Sequence, residues 1–237
     1  MPTVEMELGS LVFPEAGPVP GVVLIHDVWG LADHTRDLAG RLAGEGFSVL
    51  ALDLYRREAE VKIDNPGVWM RGLSDPQAIA DVEEAAVFLR AHESVGNRKV
   101  GVIGFCMGGM YALLAACGSP GIDASVAYYG LLSHAHGILY DEAGLDPAKK
   151  PRQPLDAAAE RSCPLLCFFG DTDEFIPLSD IELLRERLAA GGPPAEAVVY
   201  PGCGHAFMND TRADVYRPET AQHAWDRMLT FFRQQLA

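Results

Sequence analysis

Residues 101–110 read GVIGFCMGGM and contain the most informative local pattern of the chain. An apolar run ends in Cys106, with Gly104 two residues before it and Gly108 two residues after it. This G-x-C-x-G spacing is typical of a sharp turn from a β-strand into an α-helix, in which the glycines avoid collisions with neighbouring backbone. Such a turn strains its central residue and lifts that side chain clear of the sheet. A buried structural cysteine is the alternative, and the pentapeptide alone does not decide between the two.

The predicted turn places the thiol of Cys106 where it is suited to act as a nucleophile. It lies at the N-terminus of the following helix, where the partial positive charge of the helix dipole favours the thiolate. The backbone N–H of Met107 is placed to donate a hydrogen bond to an oxyanion. A nucleophile of this kind needs a histidine base and a carboxylate that orients the histidine.

Six short apolar runs, one of which leads into this turn, predict the strands of a sheet. Strands that are apolar throughout are typical of a parallel sheet buried on both faces. The runs are GVVLIH (21–26), FSVLAL (47–52), KVGVIGF (99–105), ASVAYYG (124–130), PLLCFFG (164–170) and AEAVVYP (195–201). Amphipathic helical patterns alternate with them at 34–46, 75–92, 179–192 and about 218–236. We predict a single α/β domain over residues 1–237, with a mostly parallel sheet and helices on both faces.

Two segments carry predictions about local structure. In SDIELLRERLAAGG, Ser179 and Glu182 have the spacing of a capping box at a helix start, and two glycines follow the helix. Residues 131–160 are mixed in polarity and rich in proline. We expect them to form an irregular excursion over the carboxyl edge of the sheet.

Carboxylates and a histidine follow the last two predicted strands. FFGDTDEFIP places Asp171 and Asp173 just after one strand, and GCGHAFMND places His205 just after the next. The order nucleophile, acid, histidine is that of α/β hydrolases, and the carboxyl ends of parallel strands share one edge of the sheet. We therefore predict a triad of Cys106, Asp173 and His205. Asp173 is preferred to Asp171, which is closer to the strand and could cap the turn itself.

The loop HDVWG after the first of these six strands forms the front of the predicted site. In this architecture the loop supplies the second oxyanion N–H, and Val28 is the candidate. Asp27 could accept the thiol proton, hold the thiol neutral, or only cap the loop, and its charge would oppose thiolate formation. Trp29 could form a wall of the pocket or pack beneath the excursion. Both remain accessory candidates.

The sequence contains no motif that predicts a bound metal or cofactor. His134 and His136 form an HxH pair, but no further ligands at zinc-like spacing support a metal site. The chain has no P-loop and no GxGxxG motif, so we predict no cofactor. His34 is interpreted as part of a helix start.

Taken together, these residues resemble the dienelactone hydrolase family of α/β hydrolases, the carboxymethylenebutenolidase-like enzymes. The matching segments, which span about residue 20 to the C-terminus, are HDVWGL, ALDLY, GFCMGG, AYYG, FFGDTDEFIP and GHAFMND. The resemblance implies an α/β-hydrolase fold and hydrolysis of an ester or lactone. It places the triad on Cys106, Asp173 and His205, and the oxyanion donors on Val28 and Met107.

The resemblance also implies roles for residues at which this chain departs from the family pattern. Well-known members have a glutamate at the position of Asp27, where it pairs with the cysteine, and two arginines that hold a substrate carboxylate. One of those arginines aligns with Asn209, and Arg212 lies three residues further on. Arg71 is a nearby candidate for the other. The triad therefore carries over better than the specificity for a carboxylate.

Composition excludes several classes of partner. Nineteen Lys and Arg against 33 Asp and Glu give a net charge of −14, which argues against nucleic acid and anionic membranes. No apolar run reaches the length of a membrane span, and the N-terminus does not resemble a secretory signal. Five irregularly spaced cysteines predict reduced thiols, with Cys163 and Cys167 in the core, and a cytoplasmic protein. We expect a monomer or a weak homo-oligomer.

The predicted function is hydrolysis of a small-molecule carboxylic ester or lactone by this triad through an acyl-enzyme. One alternative is a thioesterase or acyltransferase that uses the same triad. The other is a non-catalytic module that binds a small molecule.

Overall fold

The structure, a computed structural model, describes residues 1–237 and is built around an eight-stranded sheet. The strands are β1 (Thr3–Met6), β2 (Gly9–Val12), β3 (Gly21–Ile25), β4 (Ser48–Leu52), β5 (Val100–Phe105), β6 (Ala124–Tyr128), β7 (Leu165–Gly170) and β8 (Ala195–Tyr200). Their order in the sheet is β1-β2-β4-β3-β5-β6-β7-β8. The six strands from β4 to β8 in this order are parallel, whereas β2 runs antiparallel to β1 and β4. All six predicted strands are present, and the β1–β2 hairpin is an addition.

Helices cover both faces of the sheet, as predicted. They are α1 (Asp33–Gly44), α2 (Pro66–Gly72), α3 (Asp75–Ala91), α4 (Met107–Gly118), α5 (Pro154–Ala157), α6 (Leu178–Ala189) and α7 (Pro218–Gln235). Gly21 of β3 lies against Leu89 of α3, whereas Gly101 of β5 lies against Phe232 of α7. Since Gly21 pairs with Val100, Gly101 points to the opposite face, so α3 and α7 lie on opposite sides. Helices α4, α5 and α6 follow α3 on its side, whereas α1 ends near α7, where Arg233 of α7 pairs with Glu45 just after α1.

A ladder of aromatic rings crosses the carboxyl half of the sheet. Phe105 stacks on Tyr128 with ring centroids 4.8 Å apart, and Tyr128 stacks on Phe168 at 4.7 Å. Tyr128 also donates a hydrogen bond to the carbonyl of Ala224 in α7. These contacts hold β5, β6 and β7 in register near their carboxyl ends. That register fixes the relative positions of the predicted site residues, which follow the strands.

Residues 131–160 have little regular structure. They contain a 3₁₀ turn at Gly137–Leu139, the single-turn helix α5 and a second 3₁₀ turn at Ala158–Glu160. A buried ion pair anchors the segment: Nζ of Lys150 lies 2.5 Å from Oδ1 of Asp75 at the start of α3 and also donates to Tyr111 of α4. Since breaking a buried pair leaves an uncompensated charge, this contact fixes the segment against the helical layer.

The predicted capping box of α6 is wrong. The helix begins at Leu178, and Pro177, in an extended conformation, occupies the N-cap position without a side-chain cap. Ser179 and Glu182 therefore lie two positions too far inside the helix to cap its start. The predicted exit is confirmed, because the two glycines after the helix both adopt positive φ. None of the helices combines the length and apolar character needed to cross a bilayer.

Candidate active site

Cys106 occupies the predicted turn between β5 and α4. Its backbone has φ 56° and ψ −116°, a strained conformation for a residue with a side chain. The flanking glycines are required, because a Cβ at Gly104 would overlap the carbonyl of Gly108 and one at Gly108 would overlap the carbonyl of Ile25. The thiol is partly exposed. Packing of the sheet and the helix therefore imposes this strained conformation, which places the sulfur at the carboxyl edge of the sheet.

His205 and Asp173 meet beside this turn. Nδ1 of His205 lies 2.7 Å from Oδ2 of Asp173, and both side chains are almost completely buried. Oδ1 of Asp173 accepts a hydrogen bond from the N–H of Phe175, which holds the carboxylate in place. Asp171 instead accepts from the N–H of Gly202 and so joins two loops. The structure thus brings Asp173, and not Asp171, to the histidine.

The remaining ring nitrogen of His205 faces the cysteine. Nε2 is buried and has no hydrogen-bond partner of good geometry. Burial disfavours the charged ring, but the nearby thiolate of Cys106 and the hydrogen bond to Asp173 outweigh it and raise the pKa of His205 to about 10. The carboxylate of Asp173 therefore orients the ring from behind and favours its protonated form.

The loop after β3 is held from two sides. The hydroxyl of Tyr55, just after β4, donates to the carbonyl of Val28 at 2.8 Å. His26 donates through Nδ1 to the carbonyl of Asp27 at 2.6 Å and accepts from the N–H of Leu54 through Nε2. The N–H of Val28 makes no backbone hydrogen bond. These contacts hold that N–H available near the turn.

The second expected donor is at the start of α4. Met107 is the first residue of that helix, so its N–H has no partner within the helix. The N–H groups of Val28 and Met107 follow the neighbouring strands β3 and β5, so both lie at the same edge of the sheet.

Asp27 and Trp29 both line the cavity above Cys106. The carboxylate of Asp27 accepts a hydrogen bond from the N–H of Trp29 at 2.9 Å, so it caps its own loop. Burial raises the pKa of Asp27, against that hydrogen bond and the positive charge of nearby histidines. Trp29 is 54% exposed and forms the outer rim.

The three residues proposed by resemblance for a substrate carboxylate have different surroundings. Asn209 and Arg212 line the cavity. The amide oxygen of Asn209 is engaged by Thr211, and the guanidinium of Arg212 lies 3.2 Å from Asp214. Arg71 does not line the cavity.

Arg71 instead holds the irregular segment. It donates to the carbonyl of Ile138 at 2.8 Å, and its Nε lies 3.3 Å from the carboxylate of Asp141. The HxH pair is divided: His136 binds Asp180 at 2.9 Å, while Nε2 of His134 is buried without a partner. No group of three or more potential metal ligands lies together.

Two residues that the sequence patterns did not assign to the site, His34 and Tyr129, also line the cavity. His34 lies in the first turn of α1, and its Nδ1 is 3.6 Å from Asp210, while burial lowers its pKa. Tyr129 follows β6 and packs its ring against His205. Only the quoted AYYG segment hinted at Tyr129, because a cavity wall is a tertiary property.

Comparison with known proteins identifies the family. The model of the dienelactone hydrolase family matches residues 8–236. A Methylorubrum extorquens protein provisionally named carboxymethylenebutenolidase is 33% identical over 93% of this chain and 74% of its own length. A Bradyrhizobium protein provisionally named 2-oxo-3-(5-oxofuran-2-ylidene)propanoate lactonase is 34% identical over 98% of this chain and 91% of its own length.

Solved structures agree with the sequence comparison. A provisional dienelactone hydrolase from Klebsiella pneumoniae superposes with a TM-score of 0.84 at 33% identity, covering 95% of this chain and 92% of the other. An esterase from Pyrococcus furiosus, at 19% identity, shares the α/β-hydrolase fold with a TM-score of 0.71 over all of this chain and 93% of the other. The chain therefore belongs to the dienelactone hydrolase family of carboxylic ester hydrolases.

Proposed function

We propose that the chain hydrolyses a small carboxylic ester or lactone by covalent catalysis at Cys106. The observation that carries this proposal is the His205–Asp173 pair, with the free ring nitrogen turned toward a sulfur held in a strained turn. A structural cysteine needs neither the strain nor the buried, oriented histidine.

Each group has a defined step. The imidazole of His205 takes the thiol proton, and the thiolate attacks the substrate carbonyl to form a C–S bond. The N–H groups of Val28 and Met107 stabilise the oxyanion. When the C–O bond breaks, its electron pair goes to the leaving oxygen, which is protonated by His205. The histidine then deprotonates water, which attacks the thioester and releases the acid and the thiol.

Names of relatives support the same substrate class. The Bradyrhizobium relative is named for a lactone, and the Methylorubrum relative for a butenolide. All residues that line the cavity come from one chain, so we propose that the protein acts as a monomer or a weak homo-oligomer. Five free cysteines are typical of a reducing compartment, so we propose that the protein is cytoplasmic.

The test is Cys106→Ala, assayed on p-nitrophenyl acetate, with Cys117→Ala as the matched control. Cys117 lies on α4 and its thiol bonds to the carbonyl of Leu113, outside the cavity. We expect a loss in kcat of roughly 10⁴- to 10⁶-fold for Cys106→Ala, because triad members act as a unit, and wild-type activity for the control. Equal activity of the two variants would refute the proposal. Adding a thiol or alcohol as competing acceptor, with product analysis, separates hydrolysis from acyl transfer.

A further inference from the structure

Tyr129 is held in an unfavourable backbone conformation at the edge of the site. It is the first residue after β6 and has φ 37°, which is costly for a residue with a side chain. Its N–H donates to the carbonyl of Phe168 at 2.7 Å, and the next residue, Gly130, packs directly on the backbone of Gly109. The neighbouring strand and helix therefore impose this conformation.

The strain aims the side chain at the reacting groups. The ring of Tyr129 lies with its centroid 5.0 Å from that of His205 and 5.4 Å from that of Phe207, edge to face in both cases. Burial raises the pKa of Tyr129 well above its usual value, and the negative charges of Cys106 and Asp27 raise it further. The phenol is therefore a neutral hydrogen-bond donor beside the ring of His205.

Tyr129 differs from every other buried tyrosine of the chain. Tyr129 lines the cavity that contains Cys106, and its hydroxyl makes no hydrogen bond within the protein. A buried tyrosine hydroxyl normally has a partner. The other four have one: Tyr55 with the carbonyl of Val28, Tyr111 with Nζ of Lys150, Tyr128 with the carbonyl of Ala224 and Tyr200 with Nδ1 of His223. An unused donor that faces the cavity is available for a bound molecule.

The sheet order decides which substrate atom it can reach. Strand β5, which carries Cys106, lies between β3 and β6. The loop with Val28 follows β3, so the carbonyl oxygen is bound on that side. Tyr129 follows β6, on the side of His205, which protonates the leaving oxygen. We propose that Tyr129 is a further catalytic residue whose hydroxyl donates a hydrogen bond to the leaving-group oxygen of the ester or lactone. This inference rests on the proposed function.

A sulfur nucleophile makes such a donor useful. The tetrahedral intermediate expels the weaker base, and a thiolate is a weaker base than an alkoxide. The intermediate therefore returns to thiolate and ester unless the leaving oxygen is stabilised as the C–O bond breaks. Tyr129 stabilises the developing negative charge by its hydrogen bond and keeps its own proton, while the proton transferred to the oxygen comes from His205.

The experiment compares Tyr129→Phe with Tyr128→Phe on acetate esters of p-nitrophenol, phenol and ethanol. Loss of one hydrogen bond to a developing charge corresponds to a fall in kcat/KM of about 10- to 100-fold. We expect that fall for Tyr129→Phe on ethyl acetate and a much smaller one on p-nitrophenyl acetate, whose leaving group needs no help. For Tyr128→Phe we expect no dependence on the leaving group.

Stability supplies a second measurement. Because the Tyr129 hydroxyl has no partner in the protein, Tyr129→Phe should leave Tm unchanged, whereas Tyr128→Phe loses a buried hydrogen bond and should lower it. A fall in kcat/KM that is equal for all three esters, or none, would overturn the inference. Failure of the proposed function is seen separately, as activity retained in Cys106→Ala.

Discussion

At the scale of single residues, the charge state of the site depends on two groups together. Burial alone disfavours a charged imidazole at His205, whose side chain is only 11% exposed. The thiolate of Cys106 on one side and the carboxylate of Asp173 on the other reverse that preference. The protonated form of His205 thus depends on both neighbours, and we expect its pKa to fall when the sulfur is removed.

This dependence can be measured by NMR titration of the His205 ring nitrogens. In the wild type we expect the ring to titrate near the raised pKa of about 10 and so to be cationic at neutral pH. In Cys106→Ala the pKa should fall, because the largest favourable contribution is removed while burial remains. Asp173→Asn removes the charge on the other side of the ring and should also lower the pKa of His205. An unchanged pKa in Cys106→Ala would show that the sulfur and the ring do not interact.

Among the secondary-structure elements, the largely apolar strands could be predicted from the sequence, whereas the exposed strand β1 could not. Strands β3 to β8 were predictable because continuous apolar runs have few alternatives in an α/β chain. The β1–β2 hairpin was missed because β1 is exposed and only four residues long, so it has no apolar pattern of its own. The start of α6 was misassigned because Pro177 ends the preceding loop, and a spacing such as that of Ser179 and Glu182 does not reveal the local backbone.

The space around each glycine predicts that replacement by alanine has opposite effects on the free energy of unfolding at Gly40 and Gly108. Gly40 lies inside α1, and a Cβ there would meet nothing within 4 Å. Gly40→Ala should raise the free energy of unfolding by about 0.5–1 kcal/mol through lower chain entropy. At Gly108 a Cβ would overlap the carbonyls of Ile25 and His26, so Gly108→Ala should lower it by about 1–3 kcal/mol.

Urea unfolding followed by circular dichroism measures both variants. Each should change the midpoint with little change in slope, since neither alters the surface exposed on unfolding. Destabilisation by Gly40→Ala would mean that α1 packs more tightly than the structure shows. Tolerance of alanine at position 108 would mean that the turn around Cys106 has room to relax.

At the scale of the whole molecule, the site is assembled from the ends of five parallel strands. That Cys106, Asp173 and His205 lie near one another could be predicted, because each follows a recognisable strand and the fold brings those strand ends together. The rest of the cavity lining could be predicted only in part: Asn209 and Arg212 do line the cavity. Arg71 is close in sequence to the expected position, yet its guanidinium binds the irregular segment, and Tyr129 carried no polar motif. Which side chain faces a cavity is set by packing across the molecule.

The net charge of −14 acts on substrates at this same scale. An acidic protein repels an anionic ester, and salt screens that repulsion: the Debye length falls from about 30 Å at 0.01 M to about 10 Å at 0.1 M. We therefore expect kcat/KM for an ester that carries one carboxylate to rise several-fold from low to physiological ionic strength, while that of a neutral ester of equal size stays constant. Steady-state assays over a sodium chloride series measure both. The arginine that lines the cavity is Arg212, which is already paired with Asp214. A fall in kcat/KM for the anionic ester with added salt would instead show that attraction to Arg212 exceeds the repulsion of the whole surface, and Arg212→Gln would then remove that fall.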